Sequence, residues 1–298
     1  MIYIIGDLML DTYVDGEVNR LSPEAPVPIL LKKKDVFVLG GAGNVAYNIR
    51  SLTKKIKYFG IVGNDTNAVQ VQNLLKEKNI DAHLIVAKNA PTINKTRFFS
   101  SSKQILRVDE ENKFSLKDSK TLFEKIKKES EKEVVDMFVI SDYNKNTIHP
   151  ELIISSYINI QKTIIDSKKD SLDIFRGAKL FKCNLNEMQN LLKKDLLNKN
   201  MIQELEKLRH NYDFESIVTT LGSNGCVLSN ENISQNFETE KVEVNDVTGA
   251  GDNFIATLAF MLWKNKSITE SIDISLKYAT ESVKHVGNFF NDIKNIKE

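Results

Sequence analysis

With 298 residues, 41% of them hydrophobic, the chain has enough apolar content to bury one large α/β core. Its 41 Lys and Arg against 40 Asp and Glu leave a formal charge of +1, which removes any electrostatic reason to expect a nucleic-acid partner. No apolar run approaches the ~18 residues of a membrane span, and the two cysteines and four histidines make neither CxxC nor Cys/His metal spacing.

Met1 runs straight into Ile-Tyr-Ile-Ile-Gly-Asp without the basic and apolar segments of a leader. A cytoplasmic, reduced setting is therefore expected. Ile2–Ile5 is a short apolar run ending in Gly6-Asp7, the pattern of a central strand whose far end carries polar groups. Ligands of open α/β sheets gather at such ends, and Asp11 follows closely. From Thr12 to Val38 the character changes, with alternation around Tyr13–Gly16 and prolines in Ser22–Pro28. Prolines forbid helix here, so strands outside the main sheet are expected.

Gly40-Gly41-Ala42-Gly43-Asn44 opens a helix with Val45, Ala46, Ile49 and Leu52 on one face. It is not GxGxxG, and no clear strand precedes it, so no dinucleotide site is read. A strand at Ile56–Val62 and a helix at Ala68–Lys78 follow. Thr92–Val108 alternates again about the turn Ser100–Ser102, which predicts a hairpin whose Lys95, Arg97 and Arg107 face a ligand. Segments 12–38 and 92–110 together are expected to form a small β sheet standing off the core. Such a sheet serves as a lid over a pocket, and its other face is expected to pair with a second subunit.

A charged helix at Ser119–Lys132 leads to a buried strand at Met137–Ile140, which ends in Ser141-Asp142-Tyr143. Helix is expected around His149–Asn159 and again at Thr269–Val286. Strands are expected at Thr163–Ile165, Ala178–Cys183, Ile217–Leu221, Cys226–Leu228 and Val242–Asn245. Strands alternating with helices across short polar turns predict a mainly parallel sheet with helices on both faces, in one domain spanning 1–298.

The chemistry concentrates in Asp246-Val247-Thr248-Gly249-Ala250-Gly251-Asp252. Two glycines around an alanine at a helix start leave backbone N–H groups aimed beyond the N-terminus, an anion site aided by the helix dipole. Asp252 beside it is either the helix N-cap or a base that takes a proton during phosphoryl transfer. Asn184 and Glu187 sit three apart at a strand-to-helix junction. They suit magnesium-bound water or phosphate oxygens, but a capping arrangement is favoured on spacing alone. Thr220, Gly222 and Gly225 form a turn against which a flat ring can lie. The absence of GxxxxGK[ST] excludes a P-loop, and no GxSxG elbow occurs.

Taken together, the GGAGN helix start, NxxE at Asn184–Glu187 and DVTGAGDNF near the C-terminus resemble the ribokinase-like (PfkB-type) carbohydrate kinases. The opening GDLMLDTYVDGEVNRLSPEAPVPIL, with Thr92–Glu111, Ser141–Ile148 and Phe175–Glu187, is similar to the kinases of D-glycero-β-D-manno-heptose 7-phosphate. This resemblance implies a ribokinase-like fold with a β lid and ATP-dependent phosphorylation of the heptose phosphate at O1. The 1,7-bisphosphate so formed would feed surface-polysaccharide precursor synthesis. It implies Asp252 as catalytic base and Gly249, Ala250 and Gly251 as the hole for the γ-phosphate. Asn184 and Glu187 fall on the ATP–Mg²⁺ side, with Thr220, Gly222 and Gly225 by the nucleotide.

The resemblance further implies that Asp7, Asp11, Gly41 and Asn44 meet sugar hydroxyls, with Asp142 on the substrate side. Lys95, Arg97, Arg107 or Lys145 would neutralise the phosphate already on the substrate, and Asp246 and Thr248 fall where relatives hold a monovalent cation such as K⁺. Such kinases are often fused to a nucleotidyltransferase domain, and the kinase alone is expected here. The chain departs from the heptose kinases in reading Ser167-Lys168-Lys169 after Asp166 where they carry a proline-lysine-glycine stretch, Phe181-Lys182-Cys183 before NxxE, and Val286-Gly287-Asn288 near the end. Phosphorylation of another sugar, sugar phosphate or nucleoside is the alternative reading. A catalytically silent sugar-binding regulator is another.

Overall fold

The computed structural model describes residues 1–101, 103–152, 154, 157–196 and 201–285. The first strand, β1 (Ile2–Gly6), is followed by two long strands, β2 (Leu8–Leu21) and β3 (Pro28–Gly41), which carry the chain away from the core and back. Next come α1 (Ala42–Leu52), β4 (Ile56–Val62), α2 (Thr66–Glu77) and β5 (Ala82–Val86). A hairpin of β6 (Ile93–Ser100) and β7 (Lys103–Glu110) then precedes α3 (Leu116–Ser130), β8 (Met137–Asp142), β9 (Thr163–Ser167) and β10 (Leu180–Asn184). The last part holds α4 (Leu185–Leu192), α5 (Met201–Asn211), β11 (Ser216–Thr220), β12 (Cys226–Asn230), β13 (Ser234–Phe237), α6 (Ala250–Trp263) and α7 (Ile268–Ser282).

Among the described residues the main sheet has nine strands, in the order β13-β12-β11-β10-β9-β8-β1-β4-β5. All neighbours from β11 to β5 run parallel, and only the β12 and β13 edge is antiparallel. Side chains of a strand alternate between faces. Ile2 and Ile4 of β1 therefore pack with Val45 of α1, Val71 of α2, Phe254 of α6 and Ile272 of α7. Tyr3 and Ile5 pack on the other face with Leu122 of α3, Met188 of α4 and Leu205 of α5. Being covered on both sides explains why these strands read as unbroken apolar runs.

The second sheet has the order β3-β2-β6-β7. Its prolines behave as expected: Pro28 begins the edge strand β3, where a missing N–H costs no ladder bond. The hairpin turns through Ser101 in the left-handed region, φ 50°. The strands are longer than the sequence predicts, and β3 runs directly into α1. The GGAGN turn is thus preceded by a strand after all, one belonging to the second sheet.

One expectation needs correction, some elements went unread, and two expected helices reach beyond the described residues. The alternating residues Val242–Asn245 form no strand, because β13 ends the sheet at Phe237 and the chain beyond it finds no ladder partner, leaving Val244 and Val247 exposed. The strands β5 and β13 and the helix α5 carry too weak a pattern to be read in advance. The helix around His149–Asn159 lies partly outside the described residues, as do Val286 and the residues after it.

Gly225 closes the tight turn between β11 and β12 at φ 81°, and a Cβ there would lie 1.9 Å from the carbonyl oxygen of Phe237. Gly225→Ala is therefore expected to destabilise the fold by at least about 1–3 kcal/mol, read as a lower melting temperature with ordinary secondary structure below it. A melting temperature equal to wild type would refute that account.

Candidate active site

Two helix starts meet where the C-terminal ends of β1, β8 and β9 converge, as open parallel sheets favour. Gly41 begins α1 with φ 55° and ψ −133°, a conformation closed to side-chain residues, and a Cβ there would lie 2.6 Å from the Asp7 carbonyl oxygen. Gly249 begins α6 at φ 78° with no side-chain cap. Asp252, in the first turn of α6, is therefore not the N-cap. Its side chain turns inward to the polar cluster between the helices.

There Asn44 Nδ2 of α1 donates to Asp252 Oδ2 at 2.9 Å, and the Tyr143 hydroxyl donates to Asp252 Oδ1 at 2.7 Å. Asn48, one turn below Asn44, donates to its backbone oxygen at 2.9 Å and its side-chain oxygen at 3.1 Å. Asn253 Nδ2 donates to Asn48 Oδ1 at 3.2 Å, closing the network between α1 and α6. Burial raises the Asp252 carboxyl to about 6, against the hydrogen bonds from Asn44 and Tyr143; Asp166 adds to the rise and Lys182 opposes it. A buried carboxylate that titrates near neutrality can accept a proton from an alcohol and release it later.

Lys182 stands beside the glycine turn. It is 3% exposed, its ammonium lies 2.7 Å from Asp166 Oδ2, and it sits 3.2 Å from where a Cβ on Gly251 would be. Burial works against its charge, yet Asp166, Glu187 and Asp252 together hold its pKa above the ordinary lysine value. A fixed cation thus flanks N–H groups that α6 leaves without helical partners. Lys182 and Asp166 stood out in the sequence only within departures from the heptose kinases, not as site residues. The available signal was an ionic residue inside the apolar run of Ala178–Cys183, which costs too much to bury without a partner and a purpose.

Asn184 and Glu187 form the capping box that their spacing favoured: Glu187 N donates to Asn184 Oδ1 at 2.9 Å, and Asn184 N donates to Glu187 Oε2 at 2.8 Å. The other Glu187 oxygen lies 4.0 Å from Lys168 Nζ. Thr220 ends β11, its hydroxyl 3.5 Å from the Cys183 carbonyl, and Gly222 and Gly225 both take positive φ in the following turn. Asp246 and Thr248 close a small turn before the glycines, with Thr248 N donating to Asp246 Oδ1 at 2.8 Å. Among the described residues no three His, Cys, Asp or Glu side chains group as a metal cage.

The acidic residues expected at the sugar divide into open and closed ones. Asp7 is fully buried, and its carboxylate accepts the backbone N–H of Tyr143 at 2.6 Å, Lys145 at 3.1 Å and Thr147 at 3.2 Å. It orders the loop after β8 and presents no open face to a ligand. Asp142 is likewise enclosed, accepting from Ser167 at 2.8 Å and pairing with Lys169 at 3.2 Å. Burial and the neighbouring Asp7 push Asp142 up to about 6, with Lys169 opposing. Asp11 pairs with Arg97 of β6 at 2.6 Å and packs against Gly40, where a Cβ would lie 2.2 Å from Asp11 Oδ2.

The remaining cations expected at the substrate phosphate form a ladder. Glu111 bridges Lys95 at 2.6 Å and Lys145 at 2.5 Å, while Asp109 takes Lys95 at 3.1 Å and Arg107 at 2.8 Å. Lys145 and Lys95 hold the Glu111 carboxyl at about 2, so it stays ionised. Through Lys145 and Glu111 the ladder joins the second sheet to the loop after β8, which also carries Tyr143.

Residues 1–293 match the family described as pfkB family carbohydrate kinase. The chain belongs to that family. It is a carbohydrate kinase, an enzyme that moves a phosphoryl group onto an alcohol. Among curated proteins it is similar to the bifunctional protein HldE of Sulfurimonas denitrificans, 35% identical over 305 residues covering 100% of this chain and 63% of the relative. The HldE protein of Haemophilus influenzae is 34% identical over 274 residues, covering 91% of this chain and 57% of its own length. The chain thus spans somewhat under two thirds of these relatives. Among solved structures, Escherichia coli phosphofructokinase-2 in complex with fructose-6-phosphate superposes with a TM-score of 0.78 at 18% identity, covering 95% of this chain and 93% of that one. Ribokinase from Thermotoga maritima gives 0.75 at 18% identity over 96% and 94%. The pfkB-family fold and its small accessory sheet are as the sequence led one to expect. Among the described residues no helix is long and apolar enough to cross a membrane.

Proposed function

We propose that this pfkB-family kinase transfers the γ-phosphoryl group of ATP to O1 of D-glycero-β-D-manno-heptose 7-phosphate. One observation carries the catalytic part: a buried carboxylate, Asp252, held by two neutral donors next to a glycine-lined helix start and a fixed cation. In this reading Asp252 takes the proton of the acceptor hydroxyl as its oxygen attacks phosphorus. The N–H groups at Gly249–Gly251, with Lys182, stabilise the charge moving onto the transferred phosphoryl oxygens. Phosphoryl transfer asks the protein mainly for this positioning and charge stabilisation.

Glu187, through water, and the ATP phosphates would hold Mg²⁺, which neutralises phosphate charge when bound. Thr220, Gly222 and Gly225 border the nucleotide, and Asp246 and Thr248 offer oxygens to a monovalent cation. Asn44 and Asp11, with the Gly41 backbone, meet the sugar, while Asp7 and Asp142 act behind them by fixing the loop that carries Tyr143 and Lys145. Lys95 and Lys145, and next to them Arg97 and Arg107, are the cations that would exchange carboxylates for the substrate phosphate. The heptose itself rests on the likeness of segments 6–30 and 92–111 to heptose kinases and on the whole-chain similarity to HldE proteins. A homodimer through the lid is supported by Ile105, Leu106 and Val108 of β7, with Leu31 and Val36 of β3, all exposed.

The test is ADP release by purified protein with MgATP against heptose 7-phosphate, fructose 6-phosphate, ribose and adenosine. Turnover is expected to be largest with the heptose phosphate, by at least about tenfold in kcat/KM, the worth of one well-placed polar contact. Preference for an acceptor without a phosphate would overturn both the heptose and the lid lysines.

A further inference from the structure

We infer that Tyr143 is the positioning residue for Asp252: its hydroxyl keeps the carboxylate ionised and turned so that an oxygen lone pair remains open to the acceptor alcohol. The inference rests on the reading of Asp252 as base. Each Asp252 oxygen takes one neutral donor, Asn44 Nδ2 at 2.9 Å on Oδ2 and Tyr143 Oη at 2.7 Å on Oδ1. A carboxylate oxygen accepts two hydrogen bonds. Both donors together stop the group from rotating, and one acceptor direction per oxygen is left.

The loop that carries Tyr143 is built for this contact. Its backbone N–H is fixed by Asp7 Oδ2 at 2.6 Å, and its ring lies under Lys168 Nζ at 3.9 Å. Asn144 and Asn146 both stand at positive φ, 62° and 66°, a cost met by the three Asp7 hydrogen bonds that span them. A tyrosine that served packing alone would need neither the fixed backbone nor a hydroxyl on the base. Burial and the nearby Asp252 and Asp166 raise the Tyr143 pKa well above its usual value, so the hydroxyl stays a donor throughout the working range.

The groups that face Asp252 are Asn44 from α1, Tyr143 from the loop after β8, Asp166 from β9 and Lys182 from β10. Asp166 and Lys182 neutralise each other as a pair at 2.7 Å. The net preference for the carboxylate therefore falls to the two hydrogen-bond donors. In the reaction the acceptor O–H bond breaks and its proton binds an Asp252 oxygen. The acceptor oxygen forms the bond to phosphorus as the bond to the ADP oxygen breaks, and Tyr143 stays bonded to the carboxyl throughout.

The experiment compares pH profiles of kcat/KM for wild type and Tyr143→Phe, alongside ¹³C-carboxyl NMR titration of Asp252 in both. The wild-type acid limb is expected near the Asp252 value of about 6. Tyr143→Phe is expected to move the limb and the NMR titration up together by about one pH unit, the worth of one hydrogen bond to a charged group. A limb and titration that stay at the wild-type position, with or without lost stability, would overturn the inference. Asp252→Asn separates the two readings. If it keeps turnover, the base assignment fails, while the NMR shift still decides whether Tyr143 holds the carboxylate.

Discussion

Asp252→Asn is expected to lower kcat by about 10²–10⁴-fold, the usual contribution of a positioned general base, while the chain becomes more stable at neutral pH. The amide keeps the size of the carboxyl and can still accept a hydrogen bond, so α6, its glycine turn and Lys182 stay in place. What is lost is the ability to take the acceptor's proton. The stability gain follows from the sign of the pKa shift. Burial raises the folded-state value from 3.8 to about 6, so the folded chain binds this proton more tightly than the unfolded one. The group's contribution is fully present below the unfolded value and is lost as pH rises through about 6. A neutral Asn escapes that loss, worth up to about 3 kcal/mol above pH 7. Thermal denaturation should show the variant ahead of wild type at pH 8 and level with it near pH 4, with ADP release measured on the same samples. Undiminished turnover would remove Asp252 from the mechanism. Equal melting at both pH values would mean that the carboxylate is not strained by burial.

The same residue shows how far sequence reasoning reaches. Gly249, Ala250, Gly251 and Asp252 could be read as an anion site with a carboxylate beside it, because the glycines leave N–H groups bare in any helix start of this kind. Whether that carboxylate capped the helix or faced a substrate depends on its rotamer, which is set by Asn44, over 200 positions away. Asn184 and Glu187 went the other way. Their spacing is local, so the capping box could be foreseen, and it is formed. Asp7 shows a third case. Its place at the end of β1 was legible, but its three backbone donors come from the loop after β8, and only the fold brings them together. The alternation at Val242–Asn245 misled because periodicity reports a half-buried segment without saying whether a neighbouring strand exists to pair with it. The parallel sheet could be read so well because its strands are covered on both faces and carry their burial in composition alone.

Lys182→Met is the sharper test of the anion site, since it removes a cation that has no solvent to replace it. Taken alone the variant leaves the Asp166 carboxylate, 8% exposed, without its partner. Breaking a buried pair from one side typically costs about 3–5 kcal/mol, so a large drop in melting temperature is expected and would hide any effect on chemistry. Adding Asp166→Leu removes the stranded charge, and apolar replacement of both members of a buried pair is often neutral or stabilising. Lys182→Met/Asp166→Leu should therefore recover the stability of wild type. Its kcat should nevertheless stay about 10²–10³-fold low, the loss seen when one group of a preorganised anion hole is deleted, because charge developing on the transferred phosphoryl group meets only backbone N–H groups. On the Asp252 acid limb the two substitutions oppose each other, since loss of Lys182 raises that carboxyl and loss of Asp166 lowers it. Near cancellation of these two is the expected net result, which leaves the fall in kcat as the readout of the cation itself. A stable double variant with wild-type kcat would assign the pair to holding β9 against β10 and would leave the glycine turn as the sole anion-binding element.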